Sequence, residues 1–546
     1  MPTITIDDKP CRYEGNKTIL QVALEHGVEV PHYCYHPGLS VVASCRICLA
    51  EVEQPNPRDK KLELIPRLMP ACQTMASDGQ VVHTRTPKAV ANQKAVMEYL
   101  LINHPLDCPV CDQAGECHLQ DYSFKYGRAE SRFEEDKIKQ PVKDIGPHVK
   151  LYSDRCIMCS RCVRFTKEVT GTGELGVVGR GSAEQIDVFP GRPLDNPLSG
   201  NVVDICPVGA LLDKDFLFER RVWELSSTAS IDGLTASGDN LSVHHADGRV
   251  YRVKPRFNPL VNRWWISDEV RYGWKFTHRE DRLRQPLRSV QGELSPSTWP
   301  AAIREAAELL RRTVAQSGHG SLALLASPMI ACEEAYLLAR MVRSVDPQAT
   351  LAVGPVPQQG EDKAFPGGFH IYAEKAPNAR GVRRALALAA GADDQVATAK
   401  EFQAQLEAKG SPIRAALITG NYPSEWPTQE LVKALGKRPV VLLDTLPNAL
   451  TTSCSVLLPA ATWLEKSGSF ENAKGMIQAF RRAIPGPEGV RSEGQIALDL
   501  EAALGLGAVA SLDAAATRRK MGEPFAGVTE PVDVAEVEPD MQYVEL

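Results

Sequence analysis

Eleven of the fourteen cysteines fall into three groups within the first 206 residues, and one histidine stands in the second group. In chain order the groups are Cys34, Cys45, Cys48 and Cys72; then His104, Cys108, Cys111 and Cys117; then Cys156, Cys159, Cys162 and Cys206. Thiolate and imidazole are ligands for zinc and for iron–sulfur clusters. In a reducing compartment, clustered cysteines indicate metal or redox chemistry rather than disulfides.

The first group has gaps of ten, two and twenty-three residues between its cysteines. Plant-type ferredoxins bind a [2Fe–2S] cluster with three cysteines from one loop and a fourth from a distant position. The group has this form with a wider first gap, and we interpret it as a [2Fe–2S] site. A zinc loop or a set of buried thiols is the alternative. Cys11 lies outside the pattern and is interpreted as a core residue.

The third group reads C-x2-C-x2-C in "CIMCSRC", and its remote member Cys206 is followed by Pro207. This is the bacterial ferredoxin pattern for a [4Fe–4S] cluster. In two-cluster ferredoxins the remote cysteine serves the other cluster. The chain has no second C-x2-C-x2-C run, so Cys206 is expected to complete the same cluster. Zinc sites use two pairs of cysteines more often than a triplet.

The second group, "HPLDCPVCDQAGEC", has the spacing H-x3-C-x2-C-x5-C. Taken alone, this spacing fits a zinc knuckle of three cysteines and one histidine as well as it fits a cluster. A ferredoxin-like cluster is predicted on either side of it in the chain. We therefore favour a [4Fe–4S] cluster with His104 as one ligand. A neutral imidazole in place of a thiolate makes the cluster less negative, which raises its reduction potential if other influences are equal.

The composition excludes several classes of protein. Apolar residues make up 43% and charged residues 24% of the 546 positions, as in soluble multidomain proteins. The net charge of −6 gives no reason to expect nucleic acid as a partner. The N-terminus does not resemble a secretory signal, and no apolar run is long enough to span a membrane. A cytosolic chain is expected, and docking on a membrane-bound partner stays open.

The elements that must position these groups change character along the chain. Residues 1–78 alternate like strands and then show helical spacing, which predicts a small α+β unit. A helix is predicted over residues 88–103, immediately before the second group. From about residue 295, apolar strand-like runs alternate with helical stretches, which predicts a parallel sheet covered by helices. The tail from Glu523 has seven acidic residues and no lysine or arginine, which predicts an extended or disordered arm.

Four segments, "SCRICLAEVE", "NHPLDCPVCDQAGEC", "DRCIMCSRCVRF" and "GNVVDICPVGAL", resemble the cluster-binding segments of one family. This is the family of the G-type iron–sulfur subunit of bacterial NADH-quinone oxidoreductase (respiratory complex I) and its mitochondrial 75 kDa counterpart. The stretch "VLLPAATWLEKSGSFENAKGMIQ" (456–478) resembles a segment shared with molybdopterin oxidoreductases. The resemblance covers nearly the whole chain.

The resemblance implies an α+β and α/β multidomain fold. It consists of a β-grasp [2Fe–2S] ferredoxin domain, [4Fe–4S]-binding segments and a truncated molybdopterin-oxidoreductase-like α/β domain. The predicted domains are the β-grasp domain (1–78), a helical segment with the His104 site (79–147), a [4Fe–4S] ferredoxin-like domain (148–220), a small β domain at the place of a fourth cluster (221–290), the molybdopterin-oxidoreductase-like domain (291–522) and the acidic tail (523–546).

The same resemblance implies an electron path. Electrons pass from a flavin- and NADH-binding subunit to the [2Fe–2S] cluster, then to the cluster of the third group, then to that of the second group. They leave through a ferredoxin-like 8Fe subunit toward quinone. The implied cofactors are one [2Fe–2S] and two [4Fe–4S] clusters, with no catalytic residue on the chain. Other peripheral-arm subunits of the complex would surround it on the cytoplasmic side of the inner membrane, with membrane contact only through the complex.

The sequence departs from the family pattern in three places. The gap between Cys48 and Cys72 is long, and its segment "EQPNPRDKKLELIPR" is expected to form a surface turn or hairpin. The region of a fourth cluster, "WELSSTASIDGLTASG", has no cysteine, and Ser267 stands near the expected last ligand, so no fourth cluster is expected. The last domain ends early and Cys454 lacks a metal-ligating context, so no molybdenum is expected.

Two other functions remain open. The iron–sulfur part of a soluble NAD-linked hydrogenase or formate dehydrogenase shares the N-terminal motifs, although the further hydrogenase cysteines and a complete pterin domain are missing. A zinc-stabilised interaction scaffold would be colourless and hold zinc, and the cysteine triplet argues against it. No G-x-G-x-x-G after a strand and no Walker motif is found, so a site for NADH or flavin is not expected.

Overall fold

The computed structural model describes residues 1–391 and 395–531. These residues divide into two compact units. Unit 1 comprises residues 1–226 and 365–369, and unit 2 comprises the other described residues. Most of the predicted acidic arm, residues 532–546, lies outside the described residues.

Unit 1 is built from short helices and short strands. Its helices are α1 (Ile19–Glu25), α2 (Pro87–Leu101), α3 (His118–Tyr126), α4 (Arg161–Arg164) and α5 (Asn201–Asp204). Its strands are β1 (Thr3–Ile6), β2 (Lys9–Arg12), β3 (Leu49–Pro55), β4 (Leu62–Leu64), β5 (Met69–Pro70), β6 (Val81–His83), β7 (Val142–Asp144), β8 (Val149–Tyr152), β9 (Leu175–Val178), β10 (Gln185–Val188) and β11 (Leu211–Asp213).

A six-stranded sheet and one helix form the N-terminal part of unit 1. The strand order is β2-β1-β6-β3-β4 with β5 beside β3, and β1 runs parallel to β6 and antiparallel to β2. Alternate residues of β1 are buried, so Ile4 packs in the same core as Leu20 of α1. Helix α1 begins with a capping box between Thr18 and Gln21. This is the expected ferredoxin-like α+β arrangement.

The long gap in the first group forms a hairpin, as predicted. Strands β3 and β4 pair antiparallel, with Glu53 opposite Leu64, and β4 is fully exposed. The extra residues therefore project from the sheet. The backbone N–H of Ala71 still donates to the carbonyl of Cys48 at 3.1 Å, which keeps Cys72 next to the other ligands.

Helix α2 joins the first sheet to the later ligand loops. Thr86 caps its first turn and Pro87 occupies the first helical position, where its missing N–H costs nothing. Its residues Val96 and Met97 pack in one hydrophobic cluster with Leu119 of α3. The third group lies beyond, where α4 continues into a single π-helical turn, Phe165–Val169, and β7, β8 and β11 form a three-stranded antiparallel sheet.

Unit 2 contains the larger sheet. Its helices are α6 (Asp268–Tyr272), α7 (Trp299–Ser317), α8 (Cys332–Val345), α9 (Ala379–Ala390), α10 (Ala399–Glu407), α11 (Gln429–Leu435), α12 (Glu493–Ala503) and α13 (Ala514–Met521). The strands from residue 226 onward are β12 (Ser226–Ile231), β13 (Asn240–Ala246), β14 (Arg249–Pro255), β15 (Leu287–Val290), β16 (Glu293–Pro296), β17 (Leu322–Ala326), β18 (Thr350–Val353), β19 (Lys363–Ala364), β20 (His370–Ile371), β21 (Val396–Ala397), β22 (Ala415–Thr419), β23 (Val440–Asp444), β24 (Val456–Pro459), β25 (Gly468–Glu471) and β26 (Ile477–Phe480).

The predicted parallel sheet is present in unit 2. Eight strands lie in the order β16-β15-β24-β23-β22-β17-β18-β21, and the six from β24 to β21 are parallel. Strands β17, β22 and β23 are buried at every residue, because helices cover both faces of the sheet. Two separate hydrophobic clusters lie on the two faces. Among the described residues, no helix is long and apolar enough to cross a membrane.

Candidate iron–sulfur sites

The four cysteines of the first group meet beside the first sheet. Cys34, Cys48 and Cys72 are buried and Cys45 is partly buried. Their thiols lie within hydrogen-bonding distance of one another, and accepting bonds from Cys45 and Cys72 lowers the pKa of Cys34. Donating to Cys34, followed by burial, raises the pKa of Cys45. The four sulfur atoms are therefore close enough to share one bound group.

The loop around these cysteines directs backbone donors at sulfur. Ala43 and Arg46 have φ angles of 50° and 59°, in the left-handed region that non-glycine residues seldom adopt. Backbone N–H groups of Ser44 and Cys45 donate to the Cys34 sulfur. Donors of this kind stabilise a thiolate ligand and tune the group that it binds.

The third group is arranged in a similar way. Met158 and Ser160 flank Cys159 and have φ angles of 53° and 59°. The N–H of Met158 donates to the sulfur of Cys156 at 3.4 Å. The sulfur of Cys206 accepts backbone N–H donors of Val208, Ala210 and Leu211. At both Cys156 and Cys206, backbone N–H groups are thus directed at the sulfur atom, which would stabilise a thiolate that binds a cluster.

Burial makes the free thiolates of the third group costly. It raises the pKa of Cys156 to about 12 and that of Cys159 to about 11. It also raises the pKa of Cys162 and that of Cys206. Charges this deep inside a protein need a counter-charge, which bound iron would supply.

The second group follows α2 and ends at the start of α3. Burial, then the charges of Arg155 and Lys137, lower the pKa of His104 to about 4. The imidazole is therefore neutral, which is the form that binds metals. Burial raises the pKa of Cys117 to about 12, and it also raises the pKa of Cys111. Cys108 is exposed, in a short 3-10 turn that ends at Val110.

The second and third groups approach each other along the segment 206–209. A Cβ atom added to Gly209 would lie 2.3 Å from the sulfur of Cys111, so only glycine fits there without movement. The carbonyl of Pro207 accepts the N–H of His118 at 3.1 Å. The chain that leaves Cys206 therefore runs directly against the loop of the second group.

Two arginines link the first and third groups. Arg161 donates to the carbonyls of Ile205 and Tyr35, at 3.2 Å and 2.6 Å. Arg164 donates to the carbonyls of Cys34 and of Cys159. Sequence reasoning missed both residues, although both stand in "CSRCVRF", one helical turn apart and beside ligand cysteines.

The three cysteines outside the groups, Cys11, Cys332 and Cys454, are all buried, and Cys11 is a core residue as predicted. Cys11 packs in the core of the first sheet, and Cys332 donates to the side-chain oxygen of Asn378 at 3.3 Å. Within residues 1–391 and 395–531, no three His, Cys, Asp or Glu side chains close around a single ion position. The ligands of a [4Fe–4S] cluster bind different irons and do not meet at one point. Four-ligand sets with directed N–H donors fit such clusters.

The region in which some members of the resembled family would bind a fourth cluster contains β12, β13, β14 and α6. Residues 225–275 contain no cysteine. The side chain of Ser267, near the expected last ligand, accepts the N–H of Val270 and caps α6. The carboxylate of Asp232 accepts the N–H groups of Leu234 and Thr235. Among these described residues, serine and aspartate side chains satisfy the backbone of the small β domain.

Family models match five segments of the chain and define its class. They are a 2Fe-2S iron-sulfur cluster binding domain (1–87), an NADH-ubiquinone oxidoreductase-G iron-sulfur binding region (93–132), an NADH-quinone oxidoreductase subunit 3 ferredoxin-like domain (146–212), an NADH-ubiquinone oxidoreductase NDSU1/NuoG-like 4Fe-4S domain (225–275) and a molybdopterin oxidoreductase domain (363–503). By these matches, the chain contains 2Fe-2S and 4Fe-4S binding domains followed by a molybdopterin-oxidoreductase-like domain.

Similar proteins carry the name that the motifs suggested. The G-type subunit of NADH-quinone oxidoreductase from Rickettsia felis is 35% identical over 345 residues, which are 63% of this chain and 49% of that one. A mitochondrial NADH dehydrogenase [ubiquinone] iron-sulfur protein 1 of Solanum tuberosum is 42% identical over 310 residues, 57% of this chain and 40% of that one. The chain is homologous to these subunits, so the predicted resemblance is confirmed. It spans less than half of their length.

A solved structure also aligns with part of the chain. It is described as a NAD+-reducing [NiFe]-hydrogenase in the H2-reduced state, with 28% identity and a TM-score of 0.35. The alignment covers 40% of this chain and 91% of that one.

Proposed function

We propose that the chain is an electron-conducting subunit of NADH-quinone oxidoreductase (complex I), with one [2Fe–2S] and two [4Fe–4S] clusters. The observation that carries this proposal is the gathering of the ligand groups in unit 1. Cysteines of all three groups, among them Cys45, Cys117 and Cys159, pack against one hydrophobic cluster. Bound clusters would supply one-electron redox chemistry. The protein's own part is to hold, orient and bury them.

The proposed ligands are the residues of the three groups. They are Cys34, Cys45, Cys48 and Cys72 for [2Fe–2S]; Cys156, Cys159, Cys162 and Cys206 for one [4Fe–4S]; and His104, Cys108, Cys111 and Cys117 for the other. The directed N–H donors and the neutral imidazole support this assignment.

The proposed electron path begins at the first group, continues at the third and leaves from the second. Its spatial order thus differs from the chain order. Two contacts support it: Arg164 bonds to the carbonyls of Cys34 and Cys159, and Gly209 lies against the sulfur of Cys111. Ligand groups that are adjacent in the proposed path are therefore connected by direct contacts between protein residues.

The partners and the location follow from the same proposal. A flavin- and NADH-binding subunit would deliver electrons, a ferredoxin-like 8Fe subunit would accept them, and other peripheral-arm subunits would surround the chain. The chain would be a peripheral subunit on the cytoplasmic side of the membrane. The names of the homologues support this assembly.

We propose further that unit 2 binds neither a fourth cluster nor molybdenum and acts as a scaffold. The absence of cysteine from 225–275 and the capping role of Ser267 support the first part. Cys454 is buried in a hydrophobic cluster of unit 2, where a free cysteine behaves as a small apolar residue, and this supports the second part.

The deciding experiment is a count of iron, acid-labile sulfide, zinc and molybdenum in anaerobically purified full-length chain, with EPR after dithionite reduction. Three clusters require about ten irons per chain and matching sulfide. About six irons with one zinc would place zinc at His104, and molybdenum near one per chain would contradict the scaffold role. Cys454→Ser is the matched control for ligand substitutions, because it removes a buried thiol outside all three groups.

A further inference from the structure

Arg164, the last residue of α4, and Glu168, in the turn that follows, bind the loop between Cys34 and Cys45. Glu168 accepts the N–H of Ser40 at 2.8 Å, and also its hydroxyl. The carbonyl of the same Ser40 accepts from Arg164. Residues four apart on a helix lie on one face, so Arg164 and Glu168 can both form hydrogen bonds with Ser40, which lies between Cys34 and Cys45.

Arg164 reaches a ligand residue of each of two groups. Its terminal nitrogen Nη2 donates to the carbonyl of Cys34 and, at 3.4 Å, to the carbonyl of Cys159. Its Nε donates to the hydroxyl of Ser160 at 3.4 Å. The planar guanidinium offers five donors in a fixed fork, a geometry for separate acceptors that the single ammonium group of a lysine does not provide.

Arg164 is a buried cation. It is 8% exposed and Arg161, one turn earlier, is 1% exposed. A buried cation is expensive unless nearby negative charge compensates it. Glu168 and the cysteines Cys34 and Cys159 are the neighbours of Arg164 that can provide this negative charge.

We propose that Arg164 is a positioning residue shared by two clusters, which holds both ligand loops and raises the reduction potentials of both clusters together. The inference rests on the proposed function. Reduction adds one electron to a cluster, and a nearby fixed cation stabilises the added negative charge. Because one cation acts on both sites, it shifts donor and acceptor in the same direction. The difference between them, which drives transfer, is then less sensitive to this charge than either potential.

The test is a redox titration of the loaded full-length chain, followed by EPR of each cluster. Arg164→Gln keeps a hydrogen-bonding side chain and removes the charge. We expect the midpoint potentials of the first-group and third-group clusters both to fall. Arg164→Lys restores the charge without the fork, and we expect both potentials to return toward those of the unchanged protein. The cluster at His104, which has Arg155 as its neighbouring cation, is the internal reference.

Glu168→Gln is the matched control, because it weakens the hydrogen bonds to Ser40 and leaves the guanidinium of Arg164 in place. We expect no fall in either potential there. Unchanged potentials in Arg164→Gln, or a fall in only one of the two clusters, would overturn the proposal. If Arg164→Gln fails to retain one of the two clusters, Arg164→Lys is the deciding variant. Both clusters present at near-original potentials in Arg164→Lys would support the proposal. Loss of either cluster there would show that Arg164 has a purely structural role. An unchanged protein without three clusters would instead contradict the proposed function.

Discussion

At the scale of single residues, most side chains of the proposed ligand sites are buried or partly buried, and the cysteines among them become charged when they bind metal. Burial raises the pKa of Cys156 to about 12 and that of Cys117 to about 12. His104 is the exception, because its pKa falls to about 4 and it stays neutral without losing a proton. The histidine can therefore bind iron without adding negative charge, which distinguishes its site from the two all-cysteine sites.

Replacing His104 by cysteine tests this difference. His104→Cys puts a thiolate in place of a neutral imidazole, which makes the bound cluster more negative. We expect the cluster to be retained with a lower midpoint potential in an EPR-monitored titration, while the other two clusters keep theirs. An unchanged potential would show that His104 is not a ligand. Cys11→Ser, at a buried thiol outside the groups, provides the control for handling and loading.

Gly209 tests the contact between the second and third groups. A Cβ there would lie 2.3 Å from the sulfur of Cys111, and overpacking of this kind costs about 1–3 kcal/mol. We expect Gly209→Ala to reduce the EPR signal of the His104 cluster more than that of the first-group cluster. Gly176→Ala is the control, since its added Cβ would make an ordinary contact at 3.5 Å. Equal effects of the two substitutions would contradict the proposed role of Gly209.

The proposed ligands are visible in the sequence, and the residues that surround them are not. Short cysteine spacings are constrained by the geometry of the bound group, so they are visible in the chain itself. Arg161 and Arg164 act through carbonyls of Tyr35 and Cys34, more than a hundred positions away in the chain. No local pattern distinguishes such a buried arginine from an exposed one. Gly209 was missed for the same reason.

At the scale of elements, continuous apolar runs such as β17 and β22 predicted the parallel sheet, because strands buried on both faces need no polar alternation. Short elements were less predictable. Strand β6 follows the predicted domain boundary at residue 78, yet pairs with β1 through Val81 and Val82. Three residues carry too little periodicity to reveal their partner.

A buried charge cluster joins two helices of unit 2 and predicts that its stability depends on pH. Lys466 bonds to Glu334 of α8 at 2.8 Å and to Glu493 of α12 at 2.6 Å. Burial, followed by the charge of Glu334, raises the pKa of Glu493 to about 8. A pKa raised in the folded state means that the folded protein binds the extra proton. The resulting stabilisation is complete below the unfolded pKa near 4.5 and is lost as the pH rises through about 8.

We therefore expect the unfolding transition of unit 2 to move to lower temperature between about pH 5 and about pH 9. Glu493→Gln keeps an acceptor for Asn421 and removes the titrating group, so its transition should depend less on pH in this range. Calorimetry at several pH values measures both. Glu305→Gln, at an exposed position of α7, is the control. A transition that rises with pH would contradict the protonation assigned to Glu493.

At the scale of the whole molecule, the two units are stabilised in different ways. Unit 2 has extensive apolar clusters around its sheet, and the cysteines in them, Cys332 and Cys454, are not proposed ligands. Unit 1 has short helices and strands, and proposed ligand cysteines lie in the core of its first sheet or pack against the cluster formed by α2 and α3. Removing the proposed clusters would leave buried cysteine side chains without bound iron in unit 1 alone. The clusters are thus expected to hold unit 1 together as well as to carry electrons.

Removing iron and sulfide should accordingly destabilise unit 1 and spare unit 2. Metal binding that occurs only in the folded state adds to folding free energy, and its loss lowers the transition temperature. We expect calorimetry of chelator-treated chain to show the unit 1 transition at a lower temperature and the unit 2 transition unchanged. Six of the seven tryptophans follow residue 226, so tryptophan fluorescence reports mainly on unit 2 and provides the control. A fluorescence transition that falls with the loss of iron would mean that the stability of unit 2 also depends on the clusters.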